Sequence, residues 1–254
     1  MLPSDLRRRR ILDRMARTGS VRVRPLARTL RVAEMTVRRD LEALEREGLL
    51  RRTHGGAVAA QRVTCEFSFR EKEKKCRAEK ARIAAACARM VRPDDTVFLD
   101  SGSTALEIAR ALLHAPPALI LTHNLCVVSV FLYQSSTRIL VPGGELNPLA
   151  PDLFGELTLH NLDGIRVDLA FLGADAVDPA DGFFAPDLKS AAISAVIARN
   201  ARRCVLAVDS SKFGRRSTFR AGSLDSLSDV VTDRGLAPPL RKKIRSLGVR
   251  LVLV

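Results

Sequence analysis

The first 60 residues contain no lysine, yet they hold 15 Arg against 7 acids, a net charge of +8. The remaining 194 residues carry 27 bases and 21 acids, or +6. A generally arginine-rich composition would spread the excess evenly. Its concentration in a short N-terminal stretch points instead to an anionic polymer as partner. The five cysteines (Cys65, Cys76, Cys87, Cys126 and Cys204) include no CxxC pair and no regular framework. They read as buried, reduced thiols rather than a disulfide scaffold. No apolar run reaches about 18 residues, and the opening MLPSDLRRRRILDRMA lacks an apolar signal core, so neither a membrane span nor a secretory leader is expected. A cytoplasmic protein without a membrane partner is the expectation. Internal repeats and low-complexity segments are also missing. What remains is a chain of 254 residues, 46% hydrophobic, enough for one large domain and one small one and too apolar for disorder.

Residues 1–60 read as a winged helix. Ser4 is a suitable N-cap and Gly19 a suitable residue just past a helix end, with Leu6, Ile11, Leu12 and Met15 forming one apolar stripe and Arg7 to Arg10 around the rest. A second helix starts near Pro25 and carries Leu26, Ala27 and Leu30. After a turn at Arg31-Val32, a third helix is expected from Ala33 to Glu47, with Val37, Leu41 and Leu44 at i, i+4 and i+7. Two short helices joined by a tight turn, the second one basic, make a helix-turn-helix, whose second helix meets base edges through its N-terminal half. Those residues are Glu34, Met35, Thr36, Arg38 and Arg39. Arg38 and Arg39 project about 100° apart on a 3.6-residue helix, so one is expected to read a base and the other to hold phosphate. Leu49 to His54 then reads as a strand, Gly55-Gly56 as a tight turn and Ala57-Val58 as the return strand. Such a hairpin after a recognition helix is a wing, and it would bring Arg51, Arg52 and His54 to the DNA. His54 has no second His or Cys at metal spacing, so no metal is expected there.

This stretch resembles the N-terminal domain of the DeoR family of bacterial transcriptional regulators. The family pattern V-S-x-x-T-[IV]-R-R-D-L followed by L-x-R-x-H-G-G-A stands here as Val32 to Leu41 and Leu50 to Ala57. Ala33 takes the place of the usual Ser, a lost cap worth about 1 kcal/mol of local stability.

Residues 61–69 read as a linker, and a domain of residues 70–254 follows. A helix begins near Arg70, with Ile83, Ala84, Cys87 and Met90 on its apolar face. Continuous apolar strands at 97–99, 119–121, 139–141, 169–172, 205–208, 230–231 and 249–254 then alternate with helices at about 105–113, 127–133, 187–200 and 238–246. That alternation means an α/β fold with a mostly parallel sheet covered on both faces. Ligands of such sheets bind at the C-terminal strand ends, which here read Asp100-Ser101-Gly102-Ser103-Thr104, Thr122-His123-Asn124, Gly143-Gly144, Gly173-Ala174-Asp175, Asp209-Ser210-Ser211-Lys212 and Thr232-Asp233. The first offers bare amides, hydroxyls and a helix N-terminus, a phosphate cradle, with Asp100 better suited to a sugar hydroxyl.

The order D-x-G-[ST]-T, T-N-x, G-G, L-x-G-x, D-S-S-K-F is similar to the sensor domain of the same family, so the resemblance covers nearly the whole chain. It implies a fold related to ribose-5-phosphate isomerase A and a phosphorylated sugar or polyol as effector. Carried over by position, the effector set is Asp100, Ser101, Gly102, Ser103, Thr104, Asn124, Asp175, Asp209 and Lys212, with Lys80 at a basic position tied to inducer response and Lys72 or Lys74 alongside. The competing reading of Lys72 and Lys80 is a solvated helix face. Two departures stand out: Ser190 and Ser194 replace the acid and base of an E-A-x-x-K segment, and His123 replaces an Asn. An isomerase is the alternative, because Gly173 to Asp178 resembles the isomerase's G-A-D-E-I-D. Asp181-Gly182-Phe183-Phe184-Ala185, however, lacks its glycine run and its Glu, so no catalytic residue is expected. The resemblance implies a regulator of a carbohydrate or polyol operon, a repressor released from double-stranded operator DNA by its effector, without a cofactor, and as a homodimer or homotetramer.

Overall fold

The computed structural model describes residues 3–18, 20–46, 50–59, 72–133, 136–147 and 150–254. The chain divides into two compact units, Met1–Ser68 and Phe69–Val254. Gly19, Gly48, Leu49 and the expected linker 61–69 lie outside the described residues.

The first unit contains α1 (Ser4–Thr18), β1 (Ser20–Arg22), α2 (Val23–Leu30), α3 (Glu34–Arg46), β2 (Leu50–Thr53) and β3 (Gly56–Ala59). Ile11, Met15, Leu26, Val37, Leu41 and Leu44 form its core, the stripes expected from helical spacing. Arg31 closes α2 in the left-handed region (φ 54), which sharpens the turn into α3. Strand β1 was not anticipated; three residues are too few to show a period. It pairs with β3, giving the order β1-β3-β2. The hairpin turn is His54-Gly55, and Gly56 belongs to β3 opposite Arg22. A Cβ on Gly56 would overlap the carbonyl of Val21. The second glycine therefore admits β1 against the wing instead of making the turn.

Arg7 lies off the apolar stripe of α1 and yet is not solvated. It is buried (8% exposed) against Asp40 (2% exposed), to which it donates from both Nε and Nη2, with Arg8 Nε 3.5 Å from the same carboxylate. The Asp40 partner raises the Arg7 pKa above its ordinary value. This bidentate pair ties α1 to the recognition helix.

In the second unit one turn of helix at 72–74 ends at Lys75-Cys76, and α4 (Arg77–Ala88) starts anew from Cys76 in the left-handed region (φ 51). The single helix expected from residue 70 is therefore broken. Then come β4 (Thr96–Leu99), α5 (Ser103–Leu112), β5 (Leu119–Leu121), α6 (Leu125–Phe131), β6 (Arg138–Leu140), β7 (Glu145–Leu146), β8 (Leu153–Phe154), α7 (Glu156–Asp163) and β9 (Val167–Leu172). The chain continues through β10 (Ala176–Asp178), β11 (Gly182–Ala185), α8 (Leu188–Asn200), β12 (Ala201–Ala207), β13 (Phe219–Gly222), β14 (Asp229–Thr232), α9 (Pro238–Ser246) and β15 (Arg250–Leu253).

Seven parallel strands form the main sheet in the order β15-β14-β12-β9-β4-β5-β6. Successive residues face opposite layers. Leu169, Phe171, Val205 and Ala207 pack with Ile83, Ile108 and Val127 on one side. Ala170, Leu172, Leu206 and Val230 pack with Leu162, Ile197 and Ile244 on the other. Burial on both faces is why these strands read as unbroken apolar runs. An antiparallel sheet β10-β11-β13 and a hairpin β7-β8 complete the unit. The chain winds outward from β4 through β5 to β6, then returns to lay β9 on the other side of β4. That reversal opens a crevice between the C-terminal ends of β4 and β9.

Removing Asp40 leaves a buried guanidinium without its counter-charge. Asp40→Ala should cost the N-terminal unit about 3–5 kcal/mol. Calorimetry of the intact chain should then show that unit's transition well below its wild-type temperature, with the transition of the α/β unit in place.

Candidate functional site

The exposed face of α3 carries Met35 (62% exposed), Arg38 and Arg39, with Thr36 half-buried. Glu34 is held 3.4 Å from Arg24 of α2. His54 is exposed at the hairpin turn. Arg52 is not extended outward as expected: its Nη1 donates to Glu42 at 2.7 Å and its backbone N–H to Glu45 at 2.7 Å. The wing is thus laced to α3 by an exposed ion pair. The Arg51 side chain lies outside the described residues.

The α/β unit holds a cavity of about 450 Å³ at the β4–β9 crevice, within the range of small-molecule sites. Its first wall is the β4–α5 turn, Asp100 to Thr104. Gly102 makes that turn at φ +103, a conformation costly for any side-chain-bearing residue. As the N-cap of α5 it supplies no side chain to the helix's first amides. Ser103, 5% exposed, points its hydroxyl toward the same space without a protein hydrogen bond among the described residues. Free amides, a helix positive end and hydroxyls converge there.

Asp100 closes the floor. Ser101 N–H donates to Oδ1 at 2.8 Å and Gly173 N–H to Oδ2 at 3.0 Å. Burial pushes its pKa up to about 6, against the pull of those two amides. The opposite rim comes from β12: Asp209 accepts from Ser211 N–H at 3.0 Å and from the Ser211 hydroxyl, and Lys212 stands 3.9 Å from Asp175 Oδ1. Burial lowers the pKa of Lys212, with Asp175 opposing.

The segment 72–76 forms the third wall. Lys72 Nζ donates to Asp175 Oδ1 at 2.5 Å. Lys80 is buried (4% exposed), not solvated, and its ammonium donates to the carbonyls of Lys72 and of Lys75, the latter at 2.6 Å. Desolvation lowers its pKa, with Asp209 opposing. Lys75, Cys76 and Arg215 also line the cavity; sequence gave no sign of them, because the backbone break that turns 75 and 76 inward carries no Gly or Pro. Ser190 and Ser194, noted only as departures, line the fourth wall from α8.

Asn124 does not line the cavity. Its Oδ1 caps α6 by accepting from Val127 N–H at 2.9 Å, and its Nδ2 donates to Asp152 at 2.5 Å. Its fully buried side chain is spent on a cap and a carboxylate, away from the other expected effector residues. His123, 1% exposed, lies between Phe98 (centroids 5.9 Å, stacked) and Phe154, its Nε2 3.9 Å from Asp100. Burial lowers its pKa to about 4 and raises that of Asp152 to about 7. Among the described residues no helix is long and apolar enough to cross a membrane.

The sequence matches the DeoR-like helix-turn-helix domain over residues 7–63 and the DeoR C terminal sensor domain over residues 75–234. The chain belongs to the DeoR family. Relatives include the glycerol-3-phosphate regulon repressor of Escherichia coli K12, 32% identical across 90% of this chain and 89% of that one. The HTH-type transcriptional regulator GlpR of Haloferax volcanii is 32% identical across 99% and 98%. Among solved structures, ribose 5-phosphate isomerase A from Methanocaldococcus jannaschii covers 53% of each chain at 20% identity and a TM-score of 0.39. As a DeoR-family member, the protein is a DNA-binding transcriptional regulator and not an enzyme.

Two outcomes follow from these charges. Glu42→Gln should free Arg52, tightening operator binding a few-fold and steepening its salt slope by up to about one unit; anisotropy titrations at several salt concentrations measure both. The second concerns pH. Asp100 and Asp152 hold their protons more tightly folded than unfolded, so their stabilisation is full below the ordinary 3.8 and is lost as pH rises through about 6 and about 7. His123 opposes them, its contribution being present above 6.5 and lost as pH falls through about 4. Asp152→Asn should therefore flatten the decline of the sensor unit's stability between pH 4 and 7, read from urea midpoints across that range.

Proposed function

We propose that this regulator represses a carbohydrate or polyol catabolic operon and leaves its operator when a phosphorylated, hydroxyl-bearing metabolite fills the cavity at the β4–β9 crevice. The observation that carries the reading is the uncapped N-terminus of α5, with Ser103 and Thr104, opening onto a space that Lys80 and Lys212 also line. The phosphate would lie on Ser101 to Thr104, with Lys212 as its charged partner. The named role of the Escherichia coli relative in a glycerol-3-phosphate regulon supports the same ligand class. On the DNA side, Met35, Thr36, Arg38 and Arg39 would enter the major groove, with His54 and the wing beside it. One winged helix reads a single half-site, so a homodimer or homotetramer would bind a two-part operator.

Lys212→Met keeps much of the side-chain length and removes the charge. Loss of a charge-assisted hydrogen bond to phosphate should weaken effector binding by about 10- to 150-fold. Operator affinity without effector should stay as in wild type, because α3 carries that contact. The measurement is operator release titrated with glycerol 3-phosphate and other phosphate esters, wild type beside variant. A variant that releases DNA like wild type would remove Lys212 from the site.

A further inference from the structure

The walls of the cavity are chemically unequal, and the difference narrows the ligand beyond "phosphorylated metabolite". Two helices open into this space with opposite electrostatic character. Helix α5 starts on Gly102 without a side-chain cap. Helix α8 starts on Asp187, whose Oδ1 accepts Ser190 N–H at 2.8 Å. The first end attracts an anion; the second is already occupied by a carboxylate and repels one. From α8 the cavity receives only hydroxyls, Ser190 and Ser194, one turn apart on one face. Ser194 is 3% exposed, and no protein group hydrogen-bonds its hydroxyl among the described residues. A hydroxyl of an otherwise buried residue on a cavity wall is placed for a ligand's polar atom.

The charges around the space fix what that atom belongs to. All three carboxylates of the lining are engaged: Asp100 by two backbone amides, Asp209 by Ser211, Asp175 by Lys72 and Lys212. A ligand ammonium would therefore compete with partners already in place, in a lining of net positive charge. The lining holds five cations (Lys72, Lys75, Lys80, Lys212 and Arg215) against those three carboxylates, an excess of two, which is the charge of one phosphate monoester dianion. A second anionic group would have to sit by α8, beside the Asp187 carboxylate.

We infer that Ser190 and Ser194 make this a site for phosphate monoesters whose remaining body is uncharged and hydroxylated, discriminating against amino-sugar phosphates and phosphorylated sugar acids. The inference rests on the cavity being the effector site, as proposed above. Ser194 donates to or accepts from a ligand hydroxyl at the end away from the phosphate. Ser190 stands beside it, one helical turn nearer the Asp187 cap.

The test is calorimetric titration of the full-length protein with two matched sets of probes. One is glucose 6-phosphate, glucosamine 6-phosphate and 6-phosphogluconate; the other is glycerol 3-phosphate and 3-phosphoglycerate; inorganic phosphate is the control. Within whichever set binds, the neutral member should bind at least about 10-fold more tightly than its charged analogues, the cost of leaving a charge unpaired. Ser194→Ala should weaken the neutral ester by about 3- to 10-fold and leave inorganic phosphate unchanged. Ser194→Asp should reverse the order toward glucosamine 6-phosphate, a gain that no merely structural role of Ser194 would produce. Equal affinity for neutral and charged members, or an Ala variant that weakens inorganic phosphate as much as the ester, overturns the inference and leaves the phosphate site standing. Failure of every ester and of inorganic phosphate to bind overturns the effector site itself.

Discussion

The sensor unit depends on one carboxylate. Asp100 ends β4, and its two oxygens take the first amide of the following turn and the amide of Gly173 at the end of β9. The β4–β9 ladder makes its last bond from Asp100 N–H to the Phe171 carbonyl at 3.1 Å. The Asp100 side chain carries the link one step further, to Gly173 N–H. The same pair of bonds presents the α5 amides on one side and Asp175, with its two lysines, on the other. Behind it His123 fills the space between Phe98 and Phe154. Burial of that carboxyl raises its pKa to about 6.

A second theme is the use of buried cations as structural clasps. In the N-terminal unit Arg7 is spent on Asp40 rather than on nucleic acid. In the sensor unit Lys80 holds the carbonyls of Lys72 and Lys75, the stretch that follows directly on residues 60–71. An anion entering the cavity offers Lys80 a better acceptor than two amide oxygens.

The parts legible in the sequence are those set by period and by strand ends. Val37, Leu41 and Leu44 announce the buried face of α3, and Phe98, Phe171 and Val205 sit in strands whose apolar runs need no partner to be recognised. Asp100 to Thr104, Asp175, Asp209 and Lys212 come to one cavity because the sheet is parallel and its strand ends share one side. Other features depend on contacts at long sequence separation. The Arg7–Asp40 pair spans 33 residues and the Lys72–Asp175 pair 103. β1 and the sheet β10-β11-β13 are too short to carry a period. Asn124 stands apart from the cavity because a buried amide next to a strand end can serve a helix cap as readily as a ligand. Cys76 adopts a left-handed conformation that neither Gly nor Pro marks.

Helix α8 ends at Asn200 and β12 begins at Ala201, with no residue between them. Asn200 donates from its side chain to the carbonyls of Leu162 and Asp163, fastening the junction to the end of α7. A helix spliced in this way cannot slide or rotate without dragging a central strand out of register with both neighbours. The wall bearing Ser190 and Ser194 is thus a helix face anchored at its far end, not a loop. A substitution at Ser190 or Ser194 would therefore exchange a side chain on a helix anchored at its far end, without altering the strand it runs into.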